Sequence, residues 1–357
     1  MKILRCSACF VAVLSSSLGG QAPKELPIPP AVPEVARCDK ENSQVTAQRA
    51  REALSGADPA MAATLFRRAY EACPSQRNLL LEAAEAYTRK RDFDPAIKSA
   101  NEFLQLEPNS VAGRLALANA LFMAQRWKES GPAIERVLEL DPENMTALLL
   151  KANNFYLIGE SGKAEDTLVR ILEKHPNSVE AAYTLGRIYY MDDRGDYAMA
   201  QFQRVLKLDP KNYKAWDNLG LCYEAAGDAE MAIRHFLTAI KLVEKDHPEY
   251  DWPYANLAEL LIKQNDHERA YQAATMAAKR NPYSARNFFL GGKALAKLGR
   301  TGDARKWLER STKLDPNYPD PLYLLGQVYM RLGEKEKAKE TLARFREVKA
   351  KAPKKRR

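Results

Sequence analysis

Apolar residues recur along this chain in short helical stripes. From residue 214 it reads KAWDNLGLCYEAAGD, with Trp216, Leu219, Gly220 and Tyr223 at i, i+3, i+4 and i+7. That spacing lays them on one face of a helix. The same columns return as Ala182, Leu185, Gly186, Tyr189 and as Leu322, Leu325, Gly326, Tyr329. Looser copies are Leu148, Lys151, Ala152, Phe155 and Phe288, Gly291, Gly292, Leu295. The small residue of each set lets a second helix approach closely, and the aromatic fills the space beside it. A second stripe follows at i, i+4, i+7, as in Ala232, Phe236, Ala239, in Ala198, Phe202, Val205 and in Ala62, Phe66, Ala69. Between the two stripes Gly159, Gly227, Gly299 and Gly333 share one column, where a residue of positive φ ends the first helix. The pattern predicts pairs of short helices joined by tight turns.

Prolines punctuate these pairs. Pro74, Pro108, Pro142, Pro176, Pro210, Pro248, Pro282 and Pro316 each follow a second stripe, at intervals of 34 residues except for one of 38. Proline cannot continue a helix interior and fixes the turn into the next pair. A fixed period of this length marks a solenoid of two-helix units. The longer unit, 213–250, has four extra residues around VEKDHP. Four residues are about one helical turn, so its second helix can lengthen with the stripe still in phase.

Residues 213–250 contain every element of W-x2-L-G-x2-Y … A-x3-F-x2-A … P. In this the chain resembles the tetratricopeptide-repeat family. The resemblance implies an all-α, right-handed solenoid (superhelix) of about nine antiparallel helix-pair repeats of 34 residues, over residues 39–350. The units fall near 43–76, 77–110, 111–144, 145–178, 179–212, 213–250, 251–284, 285–318 and 319–350. The first keeps only its second stripe. The third lacks the turn glycine and has Ser130 where alanine is usual.

Composition adds compartment and charge. The first residues, MKILRCSACFVAVLSSSLGGQA, place two basic residues before an apolar run from Cys6 to Leu14 and then small residues. That is the order of a secretory signal peptide (1–22), cleaved after Ala22. The alternative is an N-terminal membrane anchor, but the apolar run is well short of the roughly 20 residues a span needs. An exported chain, periplasmic or secreted, is therefore expected. The proline-rich segment 23–38 reads as an extended linker. The net charge of +9 is mostly terminal: two of the charges lie in the signal segment and six in KAKAPKKRR (349–357), leaving +1 for the rest. The end of that run, 351–357, forms a basic tail. No long basic stripe points to nucleic acid, and no such partner is expected.

Catalytic chemistry has no visible seat. His175 and His247 sit beside ladder prolines, and no metal-ligand, phosphate-loop or nucleophile-elbow motif occurs. Carboxylates read as lying on solvated helix faces or in Asp-Pro turns. The expectation is a protein that is not an enzyme, with no cofactor, no metal and no small-molecule substrate.

After signal removal the cysteines are Cys38, Cys73 and Cys222. Cys38 precedes the first helix of the first unit and Cys73 ends its second. Antiparallel packing brings those ends together, so in an oxidising compartment the two are a candidate disulfide, against the alternative of two free thiols. Cys222 reads as a small packing residue.

A further set of columns lies about 115° around the first helices from the core stripe, at 100° per residue. It comprises Leu115, Asn119, Phe122, then Leu149, Asn153, Tyr156, then Tyr183, Arg187, Tyr190. In tetratricopeptide arrays the first helices line the concave surface, and these residues are the candidate peptide-binding groove; packing between neighbouring units is the alternative role for the apolar ones. The corresponding columns Asp217, Leu221, Glu224 and Ala255, Glu259, Ile262 are more polar. Where some relatives hold a carboxylate clamp, this chain has Leu149, Asn153, Thr184, Lys214 and Asn218, only part of that set. The expected function is non-enzymatic binding of a protein or peptide partner. The alternatives are a self-associating structural solenoid or a regulatory subunit of a separately encoded enzyme.

Overall fold

The computed structural model describes residues 38–351. The expected signal peptide, its cleavage point, all but the last residue of the proline-rich linker, and the tail from 352 onward lie outside the described residues.

Eighteen helices, and no strand, occur among the described residues. The first four pairs are α1 (Lys40–Ser55) with α2 (Pro59–Ala72), α3 (Asn78–Lys90) with α4 (Phe93–Leu106), α5 (Val111–Met123) with α6 (Trp127–Leu140), and α7 (Met145–Leu157) with α8 (Ser161–Lys174). Next come α9 (Val179–Met191) with α10 (Gly195–Leu208) and α11 (Tyr213–Ala225) with α12 (Ala229–Asp246). The last are α13 (Trp252–Lys263) with α14 (His267–Arg280), α15 (Ala285–Lys297) with α16 (Thr301–Leu314), and α17 (Pro319–Arg331) with α18 (Lys335–Lys351). Each helix packs on its predecessor and successor, and no strongly packed pair lies more than two elements apart. This is an all-α solenoid of helix pairs.

The stripes are its core. Ala62, Phe66, Ala69, Ala198, Phe202, Val205, Ala232, Phe236 and Ala239 are fully buried. The glycine column has a steric basis: a methyl group at position 220 would meet Phe236 Cε1 at 2.6 Å, and one at 186 would meet Phe202 Cε1 at 2.9 Å. The first helix can thus lie directly on the ring of the second.

Every turn between paired helices has a positive-φ residue in one column. Gly159, Gly227, Gly299 and Gly333 fill it in four units, and Ala57, Arg91, Gln125, Asp193 and Asn265 in the others. The third unit thus keeps the turn without its glycine. Its Ser130 hydroxyl is buried but donates to the Ala118 carbonyl at 2.9 Å, which offsets the cost of burying it. The second helices end at residues such as Glu107, Asp141 and Asp209, which leave the helical conformation before the ladder prolines. In α12 the four extra residues form one more turn than in α10 or α14, with Val243 continuing the buried stripe.

The first unit has a complete first helix despite lacking the signature. Ser43, Ala47 and Ala50 form its buried stripe at i, i+4, i+7, and the Ser43 hydroxyl donates to the Ala69 carbonyl at 2.7 Å. Cys38 and Cys73 are joined in a disulfide, with their Cα atoms 4.2 Å apart. Beside it the Asp39 amide donates to the Ala72 carbonyl at 2.9 Å. Cys222 is buried in the core.

Candidate functional site

The first helices α9, α11, α13 and α15 jointly wall a hollow of about 650 Å³. Tyr183, Arg187 and Tyr190 of α9 form one side, Leu221 and Glu224 of α11 part of the floor, and Trp252 and Arg286 the far rim. Trp252 is 54% exposed at the start of α13, with the Arg286 guanidinium over its ring at 5.5 Å.

A buried polar relay crosses the floor. Asn256 donates from Nδ2 to Asp217 Oδ1 at 2.8 Å and accepts at Oδ1 from Arg286 at 2.9 Å. The same guanidinium donates to Glu259 at 2.7 Å. The expectation that carboxylates lie on solvated faces therefore fails at Asp217 and at Asp251, both buried; Asp251 accepts from Asn287 at 2.5 Å. Burial raises the Asp217 pKa to about 7, although the bond from Asn256 and the charge of Arg286 oppose the shift. At Glu259 burial also pushes upward, but the bond from Arg286 and the charges of Arg286, Lys263 and Lys293 outweigh it and hold the carboxyl below its usual range. Nearby, Asn218 donates to the Tyr183 hydroxyl at 3.1 Å and Lys263 pairs with Glu224 at 2.7 Å. Arg187 is exposed and makes no salt bridge among the described residues.

The sequence-predicted groove residues are divided. Tyr183, Arg187 and Tyr190 come together in this hollow. Tyr183 and Tyr190 also pack against the neighbouring core, as do Leu149 and Tyr156. Tyr183 further touches the second helix of its own unit, its ring centroid lying 5.8 Å from that of Phe202. Leu115 packs against Ala118, Ile134 and Val137, and Phe122 is half-buried. Asn119 is exposed, and Asn153 donates to its own helix at Leu149 O, 2.9 Å away. Of the partial clamp set, Asn218 likewise donates to Lys214 O at 2.8 Å, so both asparagine amides are engaged.

Units six to eight supply what the sequence reading missed. Their signal was an interruption in the helix caps. Ser110, Asn144, Ser178, Asn212 and Ser284 occupy one column, and each side chain accepts a backbone N–H of the following first helix. Tyrosine stands in this column at 250 and 318: Tyr318 is the N-cap of α17, Tyr250 precedes the Asp251 N-cap of α13, and neither helix has a side-chain cap bond. Tyr250 reaches Asp217 Oδ2 at 3.5 Å and lines the hollow. Tyr318 lines a second hollow of about 390 Å³ between α13, α15 and α17, which shares Glu259 and Arg286 with the first. The caps have been exchanged for aromatic rings facing the first-helix surface.

Repeat-family models match the sequence along most of this array. Models described as tetratricopeptide repeat cover 213–281, 81–145, 146–178 and 322–348, and one described as TPR repeat covers 292–333. The chain belongs to the tetratricopeptide-repeat family. A tetratricopeptide array is a protein-interaction scaffold, in keeping with a hollow lined by aromatic rings and fixed donors and acceptors. Among solved structures, a tetratricopeptide repeat protein from Parabacteroides merdae superposes with a TM-score of 0.54 at 19% identity, covering 75% of this chain and 98% of that one. This supports the fold. The MamA RS-1 ArsTM double mutant gives a TM-score of 0.43 at 16% identity, over 48% of this chain and 94% of that one. No curated protein matches the sequence. Among the described residues, no helix is long and apolar enough to cross a membrane, and no cluster of three or more His, Cys, Asp or Glu could hold a metal ion.

Proposed function

We propose that this tetratricopeptide protein is a non-enzymatic scaffold that holds a protein or peptide partner on the face of its first helices, in an exported or cell-envelope setting. The observation that carries the reading is the 650 Å³ hollow whose aromatic and charged walls come from successive first helices, with Trp252 left half open at its rim. Exposed aromatic side chains beside prepositioned polar groups are what interface hot spots use. The signal-like N-terminus and the Cys38–Cys73 disulfide support export, because disulfides persist in oxidising compartments.

Two measurements test the reading. Partner capture from the envelope fraction is compared for the wild type and Tyr190→Ala/Trp252→Ala, both residues of the hollow, with helicity monitored by circular dichroism. Lost capture with intact helicity supports the groove; unchanged capture rejects it. Cell fractionation with N-terminal sequencing of the mature chain tests export, for which a start at Pro23 in the envelope is the expected result.

A further inference from the structure

One column of the first-helix face changes character along the array. At the C-terminal end of the first helices α5 to α17 stand Met123, Leu157 and Met191, then Ala225, then Lys263, Lys297 and Arg331; the same column in α1 and α3 holds Ser55 and Arg89, the latter paired with Glu85. All are exposed, the three apolar ones by 43%, 40% and 62%. Met191, Ala225 and Lys263 border the first hollow, and Lys297 and Arg331 the second. The column is therefore continuous along the proposed binding face, apolar over units three to five and cationic over units seven to nine.

The cations at its basic end are mostly uncommitted. Lys263 is paired with Glu224. Lys297 and Arg331, with Lys293 one helical turn before Lys297, have no carboxylate within 4.0 Å among the described residues, Arg331 donating instead to the Ala296 carbonyl at 3.4 Å, although many other cations of the array are paired. Glu259 is already taken by Arg286, which leaves Asp320 as the opposing charge in the second hollow. The hollow's floor is aromatic: Phe289 meets Tyr318 edge-on at 5.4 Å, and Tyr323 is 47% exposed. Lys293 lies over the Phe289 ring at 5.7 Å, and with Lys297 and Arg331 on the same wall it forms an anion-seeking surface with room for side chains.

We propose that this column reads an extended segment of a partner protein with two unlike halves. Apolar side chains lie on Met123, Leu157 and Met191, and Asp or Glu carboxylates lie on Lys293, Lys297 and Arg331 over the second hollow. The proposal rests on the first-helix face being the binding surface and specifies which chemistry it selects. Packed helices stand on the order of 10 Å apart, and an extended chain advances about 3.3 Å per residue. Each unit thus spans about three partner residues, and the whole column about eighteen. A nucleic-acid strand fits less well, because half of the strip is apolar and the chain's positive charge is largely terminal.

The test uses a fluorescein-labelled synthetic peptide of about eighteen residues, with leucine at every third position of one half and glutamate throughout the other. A second peptide has lysine in place of glutamate. Fluorescence anisotropy with the full mature chain is expected to give saturable, salt-weakened binding of the glutamate peptide and weaker binding of the lysine peptide. Lys297→Glu/Arg331→Glu should reverse that preference, with about tenfold or greater loss for the glutamate peptide and a gain for the lysine peptide. Both side chains are exposed, and circular dichroism verifies the fold. Met191→Glu should weaken both peptides. No binding of the glutamate peptide, equal affinity for the two peptides, or an unchanged preference in the reversed variant overturns the proposal. So does tighter binding of a single-stranded oligonucleotide that the reversal abolishes. Partner capture that survives Lys297→Glu/Arg331→Glu but is lost in Tyr190→Ala/Trp252→Ala would reject this chemistry and leave the groove reading standing.

Discussion

Asn256 donates its side-chain amide to the buried Asp217 carboxyl at 2.8 Å, joining two first helices at the floor of the hollow. Burial raises that carboxyl to about 7 from its ordinary 3.8, with Asp251 adding to the shift and Asn256, Arg286 and Tyr250 opposing it. Between roughly pH 4 and 7 the folded chain thus keeps a proton that the unfolded chain has released. Stability contributed by this group falls as pH rises through that window and levels off above it. Asp217→Asn should remove this fall. Urea midpoints measured from about pH 4 to 8 in both proteins provide the check, and identical slopes would show that Asp217 is not the group. His235, whose pKa burial lowers, contributes with the opposite sign, stability being lost as pH falls below 6.5; that slope should persist in the variant.

Gly220 should not tolerate a methyl group. Gly220→Ala forces the Phe236 ring out of a fully packed site, and overpacking of this kind costs about 1–3 kcal/mol. Phe236→Leu in the same chain should recover part of that loss. A double-mutant cycle in urea measures the coupling, and a purely additive result would mean that the two residues do not press on one another.

The positive-φ column offers the opposite sign. Asn265 and Gln125 hold φ of 60° and 61° with side chains attached. Replacing Gln125 by glycine should stabilise the third unit by up to about 1 kcal/mol, since the left-handed conformation costs roughly that much for a residue with a Cβ. Gly227→Ala should lose a similar amount. Chemical denaturation midpoints decide both.

Breaking the disulfide should loosen one end of the array only. Cys38→Ser removes a cross-link spanning 35 residues, worth about 4 kcal/mol in the chain-entropy model. Because units interact with their neighbours, hydrogen exchange should quicken in α1 and α2 and stay unchanged beyond the next few helices. Uniform acceleration along the chain would contradict this.

The architecture was legible in the sequence because the repeat enforces it many times over: the Phe236 column, the Gly220 column and the prolines each state the same geometry in several copies. The site was legible only in part. Of the nine candidate groove residues, Tyr183, Arg187 and Tyr190 line the hollow, and Leu115, Asn119, Phe122, Leu149, Asn153 and Tyr156 do not. Asp217, Asn256 and Arg286 do not stand out in the sequence, because a polar residue on a repeat helix looks solvated until its partner from the next unit is known; the relay joins residues 39 and 30 positions apart. Tyr250 and Tyr318 carried a readable signal, as breaks in the column of Ser and Asn caps. The first helix of the first unit was expected but its stripe was not recognised, because Ser43, Ala47 and Ala50 are too small to resemble the Trp-Leu-Gly-Tyr set.

Helices that touch only their close neighbours in sequence give the molecule the mechanics of a coil spring. Among the described residues no strut ties one end to the other, so the curvature is the running total of slight rotations at every junction. A change of a degree or two at each would accumulate into a wider or tighter bore without any joint being broken. A guest lying along several units would meet this compliance as a whole, and the fit would be shared among all the joints it spans.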